Sequence, residues 1–209
     1  MFNINIMIKG LIINSLIILI VILGLYKLIE FLPENKTKYI KAIALIKPRE
    51  NNEKFKDIKG FVIFEELSSG NTKISGEVSG FPKELYNSKH GFHIHETGDL
   101  RDGCKTLGGH YNPLDKSHAG RLVKTSTGDK KINFDRHIGD LGNLNVDGEG
   151  KVKFSFIDPL VKLSGKYSVI GRSVVFNEGE DDLGLGGHKD SKITGHAGQR
   201  IGCGIIGIV

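Results

Sequence analysis

The run His90-Gly91-Phe92-His93-Ile94-His95-Glu96 sets two imidazoles one residue apart in a stretch that reads as extended strand. Side chains alternate faces along a strand, so His93 and His95 point the same way. Two ring nitrogens converging on one point suit a borderline transition metal such as copper or zinc. Alone, such a pair is more often a polar strand edge. This pair has company: His110 in Gly109-His110-Tyr111-Asn112-Pro113, His118 in Ser117-His118-Ala119-Gly120, and His137 with Asp140 in Arg136-His137-Ile138-Gly139-Asp140-Leu141-Gly142-Asn143. Glycines punctuate the whole set, so turns can gather five histidines and an aspartate in one place.

The elements that must position these residues are strands. From Tyr39 onward the chain offers short β-rich runs separated by turn residues: Ile40 to Ile46, Ile58 to Leu67, Lys73 to Ser79, Gly91 to His95, Leu141 to Val146, Lys151 to Ile157, Ser168 to Phe176 and Cys203 to Val209. Several alternate apolar and polar residues, as in Val152-Lys153-Phe154-Ser155-Phe156, the pattern of a half-buried antiparallel strand. Asp147-Gly148-Glu149-Gly150 between two runs reads as a hairpin turn. About eight strands without an amphipathic helix predict an all-β domain, a sandwich or barrel. Two long stretches interrupt it, Glu96 to Arg136 with the histidines, and Asn177 to Gln199, rich in glycine and acidic residues; loops of that length in a compact domain are usually functional or disordered.

Ahead of the domain, the 17 residues between Lys9 and Lys27 carry no charge. As a helix they would extend roughly 26 Å, near the minimum for spanning a bilayer. No Ala-x-Ala-like cleavage site follows, so residues 1–29 read as a retained single-pass membrane anchor, with a cleaved signal peptide or a buried core helix as alternatives. Residues 30–38 read as a solvated linker and 39–209 as the folded domain. Lys27, Lys36, Lys38 and Lys41 after the segment against Lys9 before it lean towards a cytoplasmic domain by too few charges to fix the side. The net charge of +5 is spread over scattered lysines with no aromatic-interleaved basic stripe, so nucleic acid is not indicated. Cys104 and Cys203 are the two cysteines and form no Cys-x-x-Cys motif, which excludes a redox or zinc-ribbon site. They are either one disulfide or two buried thiols.

Residues 39–209 resemble the copper/zinc superoxide dismutases. The likeness rests on Gly91-Phe92-His93-Ile94-His95-Glu96-x-Gly98-Asp99, on the His110 and His137–Asn143 motifs above, on Ile170-Gly171-Arg172-Ser173-Val174-Val175, on Asp181-Asp182-Leu183-Gly184, and on the closing Ala197-Gly198-Gln199-Arg200-Ile201-Gly202-Cys203-Gly204-Ile205-Ile206-Gly207. The resemblance implies an eight-stranded Greek-key β-barrel or sandwich, a homodimer, and conversion of superoxide to dioxygen and hydrogen peroxide. It implies copper on His93, His95 and His110, zinc on His110, His118, His137 and Asp140, and His110 as a catalytic bridge between them. Asp181 falls where the family has an aspartate bonded to histidines of both metals, and Arg200 where it has the arginine that guides the substrate anion. His90 matches a structural histidine. Cys104 and Cys203 match the family's intrasubunit disulfide. Eighteen residues separate His118 from His137, about ten more than the common family spacing, so this loop is expected to bulge.

One position departs from the pattern. Where the family has a fourth copper histidine, this chain has Asn177. A neutral amide oxygen is a much poorer copper donor than imidazole, so a weakened copper site and reduced activity are expected. His188 and His196 in the following loop are the candidates to replace it. The alternative function is a catalytically impaired zinc-binding protein, acting as a metal sink or decoy partner. A related copper chaperone is disfavoured, because its Met-x-Cys-x-x-Cys and Cys-x-Cys sequences are missing.

Overall fold

The computed structural model describes residues 17–24, 27 and 40–209. The chain divides into two compact units, Met1–Lys38 and Tyr39–Val209. In the first, residues 17–24 form a helix, α1, whose apolar side chains from Ile17 to Leu23 are all more than half exposed. Among the described residues no helix is long and apolar enough to cross a membrane, so the expected transmembrane helix is not found there. The rest of the 1–29 segment, and the linker expected at 30–38, lie outside the described residues.

The second unit is all-β. Its strands are β1 Lys41–Pro48, β2 Lys59–Glu66, β3 Thr72–Ser79, β4 Lys89–His95, β5 Leu122–Lys124, β6 Lys130–Ile132, β7 Asp140–Asn145, β8 Lys151–Asp158, β9 Ser173–Asn177, β10 Arg200–Ile205 and β11 Gly207–Ile208. The main sheet runs β7-β4-β9-β10-β1-β2-β3-β8, with β11 also paired to β1, and curls into a nearly closed eight-stranded barrel. The one α-helix described within this unit, α2 at Ser191–Thr194, has four residues, and three short 3-10 turns lie at Glu53–Phe55, Lys83–Leu85 and Gly103–Lys105. Alternation sets the inward face: Ala42, Ala44 and Ile46 of β1 are buried, as are Val62 and Phe64 of β2 and Ile74 and Val78 of β3. Phe92 and Phe176 meet at the centre with ring centroids 4.8 Å apart, and Phe154 closes on Phe92 at 5.3 Å. Full burial of each such ring contributes about 2–3 kcal/mol.

Several sequence expectations change at their edges. The strand expected from Ser168 begins at Ser173, because Gly171, at φ +77°, takes a left-handed turn first. The last expected run starts earlier, at Arg200, and breaks at Ile206 into β10 and β11. Asp147–Gly150 does form a tight turn, with the Gly150 amide donating to the Asp147 carbonyl. The strands it joins are not a hydrogen-bonded hairpin: β7 pairs with β4 and β8 with β3, which places that turn at the gap in the barrel. The extra residues between His118 and His137 fold on themselves as the β5–β6 hairpin.

Candidate metal centre

Strand β4 is buried along nearly its whole length, and its two faces differ in chemistry. Phe92 and Ile94 enter the core, while His93 and His95 point to the other side. Two loops are knitted onto this edge. The Tyr111 amide donates to the Ile94 carbonyl, the Ile94 amide to the Gly139 carbonyl, and the Gly139 amide to the Tyr111 carbonyl, all within 3.0 Å. This needs glycine at 139, where a Cβ would stand 2.2 Å from the Ile94 carbonyl oxygen. His110 and the His137–Asp140 segment are thereby fixed against β4.

His110, His118, His137 and Asp140 form one buried cluster with ligand atoms within 4.8 Å of one another. The Nδ1 atoms of all three rings lie 2.9–3.0 Å from Asp140 Oδ1. Two of the opposite nitrogens are already committed: His118 Nε2 meets Asp181 Oδ1 at 2.7 Å and His137 Nε2 the Lys116 carbonyl at 2.9 Å, both acceptors that require the proton on that side. In a neutral ring Nδ1 then presents a lone pair to a carboxylate oxygen, and His118 Nδ1 is buried without a hydrogen-bond partner. The arrangement is repulsive unless positive charge sits among the three nitrogens and Asp140. Without a metal, protons must serve: burial alone would depress His118, but the carboxylates of Asp140 and Asp181 outweigh it and raise the ring to about 9. Burial would raise Asp140, and the rings of His110, His118 and His137 around it instead hold it well below the usual carboxylate range. Three imidazoles and a carboxylate are a closed tetrahedral set for zinc, and they fit it here.

A second cluster, His93, His95 and His110, shares the His110 ring with the first. His95 Nδ1 bonds to the Gly108 carbonyl at 3.0 Å, leaving Nε2 buried with no partner among the described residues. That orphaned atom is the clearest sign that the cluster suits a metal. Burial above all, then the charges of His110 and Arg200, keep His95 well below its ordinary value. Burial first, then the charge of His93, bring His110 down to about 3. Both rings are therefore held neutral, as ligands must be. His93 stacks on His110 with centroids 4.0 Å apart. Its Nε2 meets Asp181 Oδ2 at 3.0 Å, so Asp181 spans a histidine of each cluster, and these bonds hold the carboxyl low despite burial.

Asn177 ends β9 beside this cluster, with Oδ1 3.0 Å from His93 Nδ1. His188 and His196 belong to no cluster among the described residues: they stack on each other at 3.8 Å in the exposed loop, and His196 bonds to Asp190 at 2.8 Å. His90 lies apart, bonded to Ser88 and to the Glu178 carbonyl at 2.8 Å.

Arg200 opens β10 and reaches over the loop, donating to the carbonyls of Cys104, Lys105 and Gly108. Gly108 thus links the guanidinium to the His95 ring. An open depression beside it is lined by Arg49, Lys105, Gly198, Gln199 and Arg200, with no acidic residue. Cys104 and Cys203 are joined as a disulfide with Cα atoms 5.8 Å apart, tying the same loop to β10. Closing a loop of 99 residues stabilises the fold by about 4.7 kcal/mol in the chain-entropy account.

Three further residues position the site without having drawn attention in the sequence. Arg136, fully buried, donates from Nη1 to the carbonyls of His137, Ile138 and Asp140 and pairs with buried Asp158 at 2.5 Å, fixing the segment that carries two ligands. Asn143 clamps Asp181 by accepting from its amide at 2.8 Å and donating to its carbonyl at 2.7 Å. Gly195, at φ +67°, lies so near that a Cβ would stand 1.9 Å from Asp181 Oδ1. Arg136 and Asn143 sit in the motif that supplies His137 and Asp140, which was the available signal.

Residues 58–206 match the family described as copper/zinc superoxide dismutase. The chain is 46% identical over 173 residues to the Cu-Zn superoxide dismutase of Paramecium bursaria Chlorella virus 1, covering 83% of this chain and 81% of that protein. It is 43% identical over 192 residues to the extracellular Cu-Zn superoxide dismutase of Drosophila melanogaster, covering 91% and 97%. Among solved structures, the clock protein EA4 superposes with a TM-score of 0.69 at 36% identity, over 81% of this chain and 94% of that one. With two histidine clusters sharing one ring between the loops and the outer face of a barrel of this topology, the chain belongs to the copper/zinc superoxide dismutase family.

Proposed function

We propose that the chain dismutes superoxide, with His93, His95 and His110 holding copper and His110, His118, His137 and Asp140 holding zinc. The observation that carries this reading is the ring of His110, common to both clusters. When bound, copper supplies the one-electron chemistry that turns superoxide into dioxygen and hydrogen peroxide. The chain's own residues do the rest. Arg200, fixed by three carbonyls, attracts the small anion to the mouth beside His95. His110, with Nδ1 on the Asp140 side, would hold copper through Nε2, and that same nitrogen is the one that can carry a proton beside the substrate when it is not bound. Asp181 holds the rings of His93 and His118 in register, a role outer carboxylates commonly play at metal sites.

Superoxide loss by the copper- and zinc-loaded full-length chain tests this reading. Arg200→Glu should slow it by roughly tens-fold and reverse its salt dependence, because the steering charge changes sign, while Arg200→Lys should cost only a few-fold. Superoxide loss unaffected by either change would contradict it. Asn177 supports a second reading, in which copper is bound too weakly for turnover and the protein serves as a zinc-binding sink or decoy. In that case superoxide is lost no faster than in buffer even with copper supplied.

The partner we propose is a second copy of the chain. Leu45, Ile205 and Ile208 of the neighbouring strands β1, β10 and β11 are 61%, 39% and 64% exposed, an apolar strip of the kind that marks an interface. Leu45→Asp should convert a dimer to a monomer in sedimentation; an unchanged mass would rule this strip out. Residues 1–29 are read as an export segment, retained as an anchor or cleaved, a reading helped by the extracellular relative. Membrane fractionation with amino-terminal sequencing separates the two outcomes.

A further inference from the structure

Asn177 does more than lack an imidazole. It is 6% exposed, and its Nδ2 donates to the Gly198 carbonyl at 3.0 Å, which turns Oδ1 towards His93 Nδ1, also at 3.0 Å. On the far side of the His93 ring, Nε2 faces the Asp181 carboxylate, an acceptor only, so the ring's proton belongs there. The neutral ring then aims a lone pair at the amide oxygen. Two buried acceptors face one another, and neither can rotate away without abandoning its other bond. A cation lying against both resolves the conflict. The orphaned Nε2 of His95 in the same cluster asks for the same cation. Ligands about 2.0–2.2 Å from a metal sit roughly 3 Å from each other, which is the observed separation of the two atoms.

We propose that Asn177 Oδ1 is itself a ligand of the metal held by His93, His95 and His110, and that this oxygen makes the position selective for divalent over monovalent copper. This rests on the copper assignment proposed above. The selectivity follows from donor chemistry. An amide oxygen is a hard donor that a divalent ion accepts and that soft Cu(I) takes poorly, whereas imidazole serves both. The chain has exchanged a donor useful in both oxidation states for one useful in the divalent state.

The test measures affinity rather than activity. Full-length, zinc-loaded wild type, Asn177→Leu and Asn177→His are titrated with Cu(II), and anaerobically with Cu(I), against competing chelators. Leucine keeps the shape and removes the donor, so Cu(II) affinity should fall about tenfold or more while Cu(I) affinity stays within a few-fold. Histidine should raise Cu(I) affinity by about tenfold or more and change Cu(II) less. Should Asn177→Leu fail to fold, the wild-type and Asn177→His titrations together with pulsed Cu(II) electron paramagnetic resonance on protein carrying 15N-labelled asparagine still decide: three imidazoles plus a weak coupling from the labelled amide nitrogen in wild type, and four imidazoles without that coupling in Asn177→His, support the proposal, whereas three imidazoles with no such coupling in wild type would overturn it. Four imidazoles already in wild type, equal losses for both oxidation states in Asn177→Leu, or no loss in either would overturn it. A chain that dismutes superoxide yet binds copper identically with and without the amide oxygen sinks this inference alone. One that shows the divalent preference but no turnover sinks the proposed activity alone.

Discussion

Replacing His137 with alanine should lower the melting temperature of the zinc-loaded protein by roughly 10 °C or more. His137 contributes Nδ1 to the group around Asp140 Oδ1 and anchors the loop by its bond to the Lys116 carbonyl. Its loss opens a closed ligand set and leaves a fully buried carboxylate with one partner fewer. Stripping zinc from the wild type with a chelator should produce a drop of similar size, and the variant should respond little to the same treatment. Scanning calorimetry with and without chelator checks both. A wild-type melting temperature indifferent to chelation would mean that the His110, His118, His137 and Asp140 cluster carries no structural metal.

The second large effect is expected at His95. Its Nδ1 bonds to the Gly108 carbonyl and its Nε2 has no partner, so His95→Ala removes a ligand atom without touching any group bonded to Asp140 or Asp181. Superoxide loss should fall to the background rate, at least about a hundredfold, with zinc content unchanged. Metal analysis beside the superoxide assay reads both quantities. Retention of copper and turnover by this variant would show that copper is held elsewhere.

Much of this was legible in the sequence because strand periodicity is a strict rule. The alternation across Phe92-His93-Ile94-His95 puts the two histidines on one face together, and the structure has that arrangement, with Phe92 and Ile94 in the core on the other. Positions of loop ligands follow from motif likeness rather than from any periodicity: nothing in the spacing of His110 and His137 says that their Nδ1 atoms meet at one carboxylate oxygen. The sequence also could not yield the partners that orient the rings. The carbonyls of Gly108 and Lys116 do this, that of Gly198 orients the Asn177 amide in the same way, and every residue has a carbonyl. Strand ends were misplaced where a single glycine turns the chain, as at Gly171, and pairing was misplaced at Asp147–Gly150 because a turn signal does not reveal which neighbours its strands will choose. The hairpin in the long loop rests on the local register Leu122 with Ile132, too short to stand out among turn residues.

The proposed activity requires that two metals share His110 and that superoxide is consumed there. Its most direct test is a copper titration of the zinc-loaded full-length chain, following bound metal and superoxide loss in the same samples. Superoxide loss should rise in proportion to bound copper and level off near one copper and one zinc per chain. Zinc bound at that level with copper excluded, or copper bound to saturation with superoxide lost no faster than in buffer, would contradict it.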